Sequence, residues 1–244
     1  MIETKTFRMW PLLWTVVLML LASAAVCFGD ILLQDDFEEG KLDKAKWIGA
    51  GTWKIEKDGG NHFLDINGGG EGLSVKNDFT DFIIEYDLKL LGGTGYNGVV
   101  LRAQDVNNLY MHQVAGPGSA TPSNIRWHTK IGGGYAVFAK LIESGLKIDT
   151  EVWYRVRFEL EGENSKCYVV EKGKAPEPEL ASWSDKLLAS TWENGQFKKG
   201  AIGFRQSGSE WAQFDNIIAT TIGHTRAVSP KNNLIITWGQ IKSR

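Results

Sequence analysis

Residues 83–90 read IIEYDLKL, and the acids Glu85 and Asp87 lie two positions apart in an otherwise apolar run. On an extended strand, side chains at i and i+2 share a face, with Cα atoms roughly 6.5–7 Å apart. Carboxyl groups so placed can approach the ~5–5.5 Å separation of a retaining glycosidase, where one protonates a leaving group and the other attacks. The competing reading is that both acids line the solvated side of a strand. Further pairs alternate in the same way: Arg102 with Gln104, Tyr110 with His112, Arg126 with His128, and Arg155 with Arg157. If their strands are neighbours in one sheet, these residues form a single band of planar donors with Tyr110 available for stacking. Leu101, Met111, Ile125 and Trp127 then point into the core. Such a band suits sugar hydroxyls or acidic glycan groups, because a guanidinium donates in a planar fork. His112 and His128 would add general acid–base capacity. An ordinary solvent-facing sheet side is the alternative.

The elements that must position these residues are short runs with period-two patterning, such as DFIIEYDLKLLGG, NGVVLRAQDVNNLYMHQVAG and VWYRVRFELEGENSKCYVVEKG. Gly, Asn and Asp clusters separate them, and no sustained helical stripe occurs, so the pattern indicates an all-β antiparallel sandwich or barrel. Gly59-Gly60, Gly92-Gly93 and Gly132-Gly133-Gly134 supply positive φ where strands reverse, and DVNN and EGEN read as hairpin connections. The chain holds 28 Gly and 10 Trp, most of the latter expected in the core. Residues 173–200, with two prolines, read as a long surface connection, and strand patterning resumes at Ala201. Residues 221–244 leave the pattern as a C-terminal tail. Ser229-Pro230 can open a short helix there, with Leu234, Trp238 and Ile241 on one side, though a strand fits as well.

Residues 1–29 carry Lys5 and Arg8, then the apolar run PLLWTVVLMLLASAAVCFG with an Ala22-Ser23-Ala24 site, which reads as a cleaved signal peptide. A secreted, periplasmic or cell-surface protein with no membrane span after cleavage is expected, with a single domain over residues 30–220. Cleavage leaves Cys167 as the one cysteine, expected to be a small buried hydrophobe. A formal net charge of −2 gives no sign of the basic footprint of a nucleic-acid binder.

In order, DDFEEGKLDKAKW, TWKIEKDGG, DFIIEYDLKL, GYNGVVLRAQDVNNLYMHQV, VWYRVRFELEGENSKCYV and AIGFRQSGSEWAQFDNI resemble the concanavalin A-like lectin/glucanase superfamily. Within it, laminin-G-like domains and the 3-keto-disaccharide hydrolase-like domain are the nearest groups. The resemblance spans about residues 31–220 and implies a two-sheet antiparallel jelly-roll sandwich, often with one face used for glycans. Laminarinase-type members carry a motif similar to Glu-x-Asp-x-x-Glu. Glu85 and Asp87 match its first two acids, but Lys89 or Leu90 stands at the third, so the leaving-group acid is missing. Structural calcium is common in similar domains. Asp35 or Asp36 and Asp215, near the two ends, would supply oxygen ligands where terminal strands pair. No HExxH, paired CxxC or EF-hand pattern is present.

These readings predict a carbohydrate-binding or adhesion-type module that takes an oligosaccharide or polysaccharide on a polar sheet face, with catalysis disfavoured. The alternatives are a glycoside hydrolase of the 3-keto-disaccharide hydrolase-like type, using Glu85, Asp87, His112 or His128, and a structural envelope domain.

Overall fold

The computed structural model describes residues 30–92, 96–118, 124–143, 147–174, 183 and 187–223. The expected signal peptide and the tail beyond Gly223 lie outside the described residues. Among the described residues fifteen strands run in chain order: β1 (Ile31–Asp35), β2 (Trp47–Ile48), β3 (Trp53–Asp58), β4 (Asn61–Asn67), β5 (Gly70–Ser74), β6 (Phe82–Gly92), β7 (Tyr96–Asp105), β8 (Asn108–Ala115), β9 (Asn124–Ile131), β10 (Gly134–Glu143), β11 (Trp153–Glu161), β12 (Asn164–Glu171), β13 (Leu188–Glu193), β14 (Ala201–Gln206) and β15 (Trp211–Thr221). Among the described residues no helix is long and apolar enough to cross a membrane.

The strands form two antiparallel sheets. One has eight strands, in the order β13-β12-β11-β6-β15-β4-β3, with β1 paired to β15. The other has seven, in the order β10-β9-β8-β7-β14-β5-β2. The expected all-β, two-layer jelly-roll sandwich is therefore what the chain builds. The turns follow the expected chemistry in part: Gly59 at φ 60° reverses β3 into β4, and Gly132 and Gly133 at φ 58° and 86° reverse β9 into β10, whereas Gly60, Gly92 and Gly134 do not take a positive φ. One strand departs from expectation. LASTWE forms β13 on the edge of the eight-stranded sheet, where the reading had only a loop until Ala201.

Alternate residues of β11 are buried, in the pattern iBiBiBiB, so Tyr154, Val156, Phe158 and Leu160 enter the layer between the sheets. Each large apolar side chain buried there contributes about 1.5–3 kcal/mol. An aromatic chain crosses that layer. Trp47 stands 5.8 Å from Trp53 and 6.1 Å from Phe204, which meets Phe214 of the facing sheet at 4.2 Å and Tyr86 at 5.2 Å. Gly72 makes room for it, since a Cβ at this position would fall 2.3 Å from the Trp53 ring. Cys167 is free and fully buried, as expected.

Candidate functional site

Glu85 and Asp87 face outward from β6, yet they are not solvated: Glu85 is 8% exposed and Asp87 0%. The register explains why. Arg155 of β11 lies opposite Asp87, and Arg157 lies opposite Glu85. Arg157 Nη1 donates to Glu85 Oε1 at 2.5 Å, and Arg155 Nη1 donates to Asp87 Oδ1 at 2.7 Å. Asp87 Oδ2 accepts from Lys172 Nζ at 2.5 Å and Asn216 Nδ2 at 2.8 Å. Both oxygens of Asp87 are thus engaged. Arg155 and Arg157, expected as ligand contacts, serve here as partners of the two acids. The sequence expectation of a wet strand face is corrected to a ladder of ion pairs.

Asp215 sits opposite Asp87 on β15. It accepts from Asn61 Nδ2 at 3.0 Å and from the Asn216 amide at 2.7 Å. Burial, with a smaller contribution from the Asp87 charge, pushes its carboxyl above the ordinary aspartate range. The terminal strands pair as anticipated, but the aspartates do not meet. Asp35 turns to the Trp47 indole at 2.7 Å, and exposed Asp36 caps the Glu38 amide. Among the described residues no group of three or more His, Cys, Asp or Glu side chains is placed to share a metal ion.

The single band expected from alternation is divided: beyond Arg155 and Arg157 in the ladder, its other residues fall in three further places. Arg102 sits at φ 48° where the β7–β8 register shifts. It is 1% exposed, and its guanidinium donates to the Thr80 and Gly162 carbonyls at 2.9 and 2.6 Å and to Asp81 at 3.1 Å. It pins loops rather than facing solvent. Gln104 beside it donates to the Lys199 carbonyl. Tyr110 and His112 share a face, but that face is the interlayer core. The Tyr110 hydroxyl accepts from the Phe197 amide at 2.6 Å and donates to Asn194 Oδ1 at 2.9 Å. His112 lies 4.5 Å from the Trp127 ring and 4.6 Å from Phe158, and burial keeps its imidazole far below its usual pKa. Neither residue is available to a ligand. Met111, expected inside, points the other way.

Arg126 and His128 occupy the third place, the outer face of the seven-stranded sheet. That face is curved. Lys130 of β9 and Glu71 of β5 are four strand steps apart, a separation of about 19 Å in a flat sheet, yet their charged ends meet at 2.7 Å. Beneath this bridge lies a second apolar cluster of Val100, Ala103, Leu109, Met111 and Ala201, joined by Leu73. Polar and aromatic groups flank the cluster. The Arg126 guanidinium stacks over Tyr96 at 4.7 Å, and His128 lies 5.3 Å from Tyr135, itself 38% exposed. Burial first, then the charges of Arg126 and Arg205, lower the His128 pKa to about 4, so its ring is neutral at pH 7. Arg205 holds Glu210 at 3.1 Å, while burial pushes the Glu210 carboxyl upward.

Sequence reading missed Glu71, Tyr96, Lys130, Tyr135, Arg205 and Glu210. Period two within β9 places Lys130 with Arg126 and His128, and this was the one signal available. Tyr135 comes from the hairpin partner β10, Glu210 from the turn before β15, and the rest from strands that only the sheet order brings to the same face.

A profile of the 3-keto-alpha-glucoside-1,2-lyase-like domain matches residues 33–219. The chain belongs to this family. Its fold is that of the concanavalin A-like sandwiches. The carbohydrate binding module CBM66 from Bacillus subtilis superposes with a TM-score of 0.53 at 18% identity, over 72% of this chain and 96% of that one. Lectin II from Ulex europaeus gives 0.55 at 8% identity, over 78% and 99%. A xylan beta-1,4-xylosidase from Bacillus halodurans gives 0.54 at 15% identity, over 79% of this chain but only 40% of the enzyme. No curated protein sequence matches the family member described here.

Proposed function

We propose that this domain binds a saccharide on the concave outer face of the seven-stranded sheet. The observation that carries the reading is the curvature itself. It gathers an apolar floor, the Arg126–Tyr96 stack and the His128–Tyr135 pair under the Lys130–Glu71 bridge. Apolar walls with a few oriented donors are what a small polar ligand requires. Family membership and carbohydrate-binding neighbours of the same fold support a carbohydrate-related role. Calorimetric titration of the full chain with oligosaccharides tests it. Tyr135→Ala is expected to weaken binding about tenfold, equivalent to about 1.4 kcal/mol. Unchanged affinity for every bound sugar refutes the assignment, and a protein that binds none of them is better read as a structural envelope domain.

A second reading is catalytic, and the neutral His128 ring favours it. In a 3-keto glucoside the carbonyl acidifies the C2 proton. His128 would take that proton as the C1–O bond breaks, and the departing oxygen would gain a proton to leave a C1=C2 double bond. A base must be unprotonated at the working pH, and a pKa of about 4 ensures that, while making the ring a weaker base than an ordinary imidazole until substrate changes its surroundings. Release of the free sugar from a 3-keto disaccharide, abolished in His128→Gln, is the expected result. Release that persists in the variant removes His128 from the role. Export through residues 1–29 belongs to the same proposal, and N-terminal sequencing of the mature protein tests it.

A further inference from the structure

The apolar cluster on the outer face of the seven-stranded sheet is covered. Val100, Ala103, Leu109, Met111 and Ala201 are only 0–3% exposed. Two side chains that reach over it are directly opposed across the β9–β10 pair, Lys130 and Tyr135. Lys130 Nζ ends on Glu71 Oε1 at 2.7 Å, and the Tyr135 hydroxyl donates to Met111 Sδ at 3.9 Å. The register shows how far Lys130 reaches. Paired residues lead from Glu71 through Arg205, Gly98 and Gln113 to Arg126, four residues before Lys130 on β9. The bridge therefore crosses the face diagonally instead of following one row. Gly98 lies midway along that row, and a Cβ there would fall 3.2 Å from Met111 Sδ, so the thioether packs down on the β7 backbone.

The strands beneath are held in place. At the β9–β10 tip the Gly132 amide donates to Asn108 Oδ1 and the Gly133 amide to the Asn107 carbonyl, both at 3.0 Å, which ties this hairpin to the β7–β8 turn. The covering side chains are held less firmly. Tyr135 is already 38% exposed, and a thioether is a weak acceptor. Lysine carries its charge on a flexible four-carbon stem. The Lys130 and Glu71 side chains are 12% and 15% exposed, so salt still reaches the bridge, though less than it would a fully exposed pair.

We propose that Lys130, Glu71 and Tyr135 form a strap over the concave face, which opens before a neutral saccharide reaches the apolar floor. Opening breaks one ion pair and one weak contact to sulfur while the strands stay paired. It uncovers Met111 and turns the Tyr135 ring outward, where a sugar can stack on it. Only the open form binds, so the apparent affinity is the intrinsic one reduced by the fraction of molecules that are open. Loss of the bridge charge therefore tightens binding of an uncharged sugar. The role of the strap in binding rests on the saccharide reading of this face; its opening does not.

Methionine methyl signals of the full chain, labelled with carbon-13, read the opening without any sugar. Of the four methionines only Met111 lies beyond residue 29, and its signal is assigned by its loss in Met111→Leu. Relaxation of that methyl by a soluble nitroxide is expected to rise about threefold in Glu71→Gln. It should also rise in the wild type in about 1 M NaCl. Lys130→Arg, which keeps the charge, should stay at the wild-type value. Among laminarihexaose, xylohexaose and maltohexaose, any that binds is expected to bind Glu71→Gln about threefold more tightly than the wild type at low salt. A Met111 methyl that stays protected both in Glu71→Gln and in the salted wild type overturns the strap. So does equal opening in Lys130→Arg, which would assign the cover to packing instead of charge. Sugar affinity that is unchanged while Met111 opens overturns the gating and leaves the concave site standing. A Met111 that opens in a protein binding none of the three sugars bears out the strap and counts against the saccharide reading instead.

Discussion

The two outer faces of this sandwich carry the same kinds of side chain and treat them in opposite ways. On the eight-stranded sheet, Glu85 and Asp87 meet Arg155 and Arg157 directly across one strand pair, so neighbours neutralise one another. On the seven-stranded sheet, Lys130 and Glu71 meet only because the sheet curls, and the charges lie over an apolar cluster that is itself 0–3% exposed. Arginine on a strand therefore says little by itself. Whether its counter-charge lies on the next strand or several strands away decides whether the pair reports strand register or the curl of the sheet.

The sharpest way to break this contrast is to cut the ladder. Asp87→Ala leaves Lys172 without its partner, and Arg155 with only the longer 3.7 Å contact to Glu85, at a site where the acid is 0% exposed. A loss of about 3–5 kcal/mol in urea unfolding is expected, with saccharide affinity at the concave face unchanged. A loss below about 1 kcal/mol would mean the ladder is decoration.

Acid titrates the other face. His128 has a folded pKa of about 4 against 6.5 in the unfolded chain, so its contribution is complete above pH 6.5 and is lost as pH falls toward 4. A decline on the order of 3 kcal/mol over that window follows, and His112 adds to it with the same sign. Asp215 and Glu210, raised by burial, act in the opposite sense. The difference between wild type and His128→Gln isolates the histidine, and parallel curves for the two would refute its assignment.

Lys130→Met sharpens the comparison further. It leaves Glu71 without its partner in a bridge whose side chains are only 12% and 15% exposed, and is expected to cost about 1–3 kcal/mol and to make sugar binding less sensitive to salt. In Arg126→Ala, losing the stack on Tyr96 should cost only about 0.5–1 kcal/mol of stability, while saccharide affinity falls about tenfold. If either variant behaves like Asp87→Ala, the two faces are built alike.

Much of the layering was legible because apolar residues alternate so regularly, as in Tyr154, Val156, Phe158 and Leu160. Pairing within a strand was legible too: Arg126 does share a face with His128, and Tyr110 with His112. Which face each pair takes was not. In β8 every residue after Asn108 is buried, since the curved sheet covers its outer side as well as its inner one, and period two then loses its sign. At Arg102 a positive φ and a register shift break the parity outright. The ladder escaped notice for a simpler reason, because pairing Arg155 with Asp87 requires knowing that β11 lies beside β6. β13 was missed because LASTWE follows a proline-bearing stretch and offers only six residues of pattern.

Trp47 and Trp53, 5.8 Å apart at 58°, are close enough for their electronic transitions to couple. Both also pack on Phe204, at 6.1 and 6.3 Å, so the pair rests on the opposite edge of the aromatic chain that spans the two layers. Any slip of one layer over the other changes that geometry. The domain thus carries its own optical gauge, readable by circular dichroism without a label, for whether a bound partner leaves the sandwich at rest or shears it.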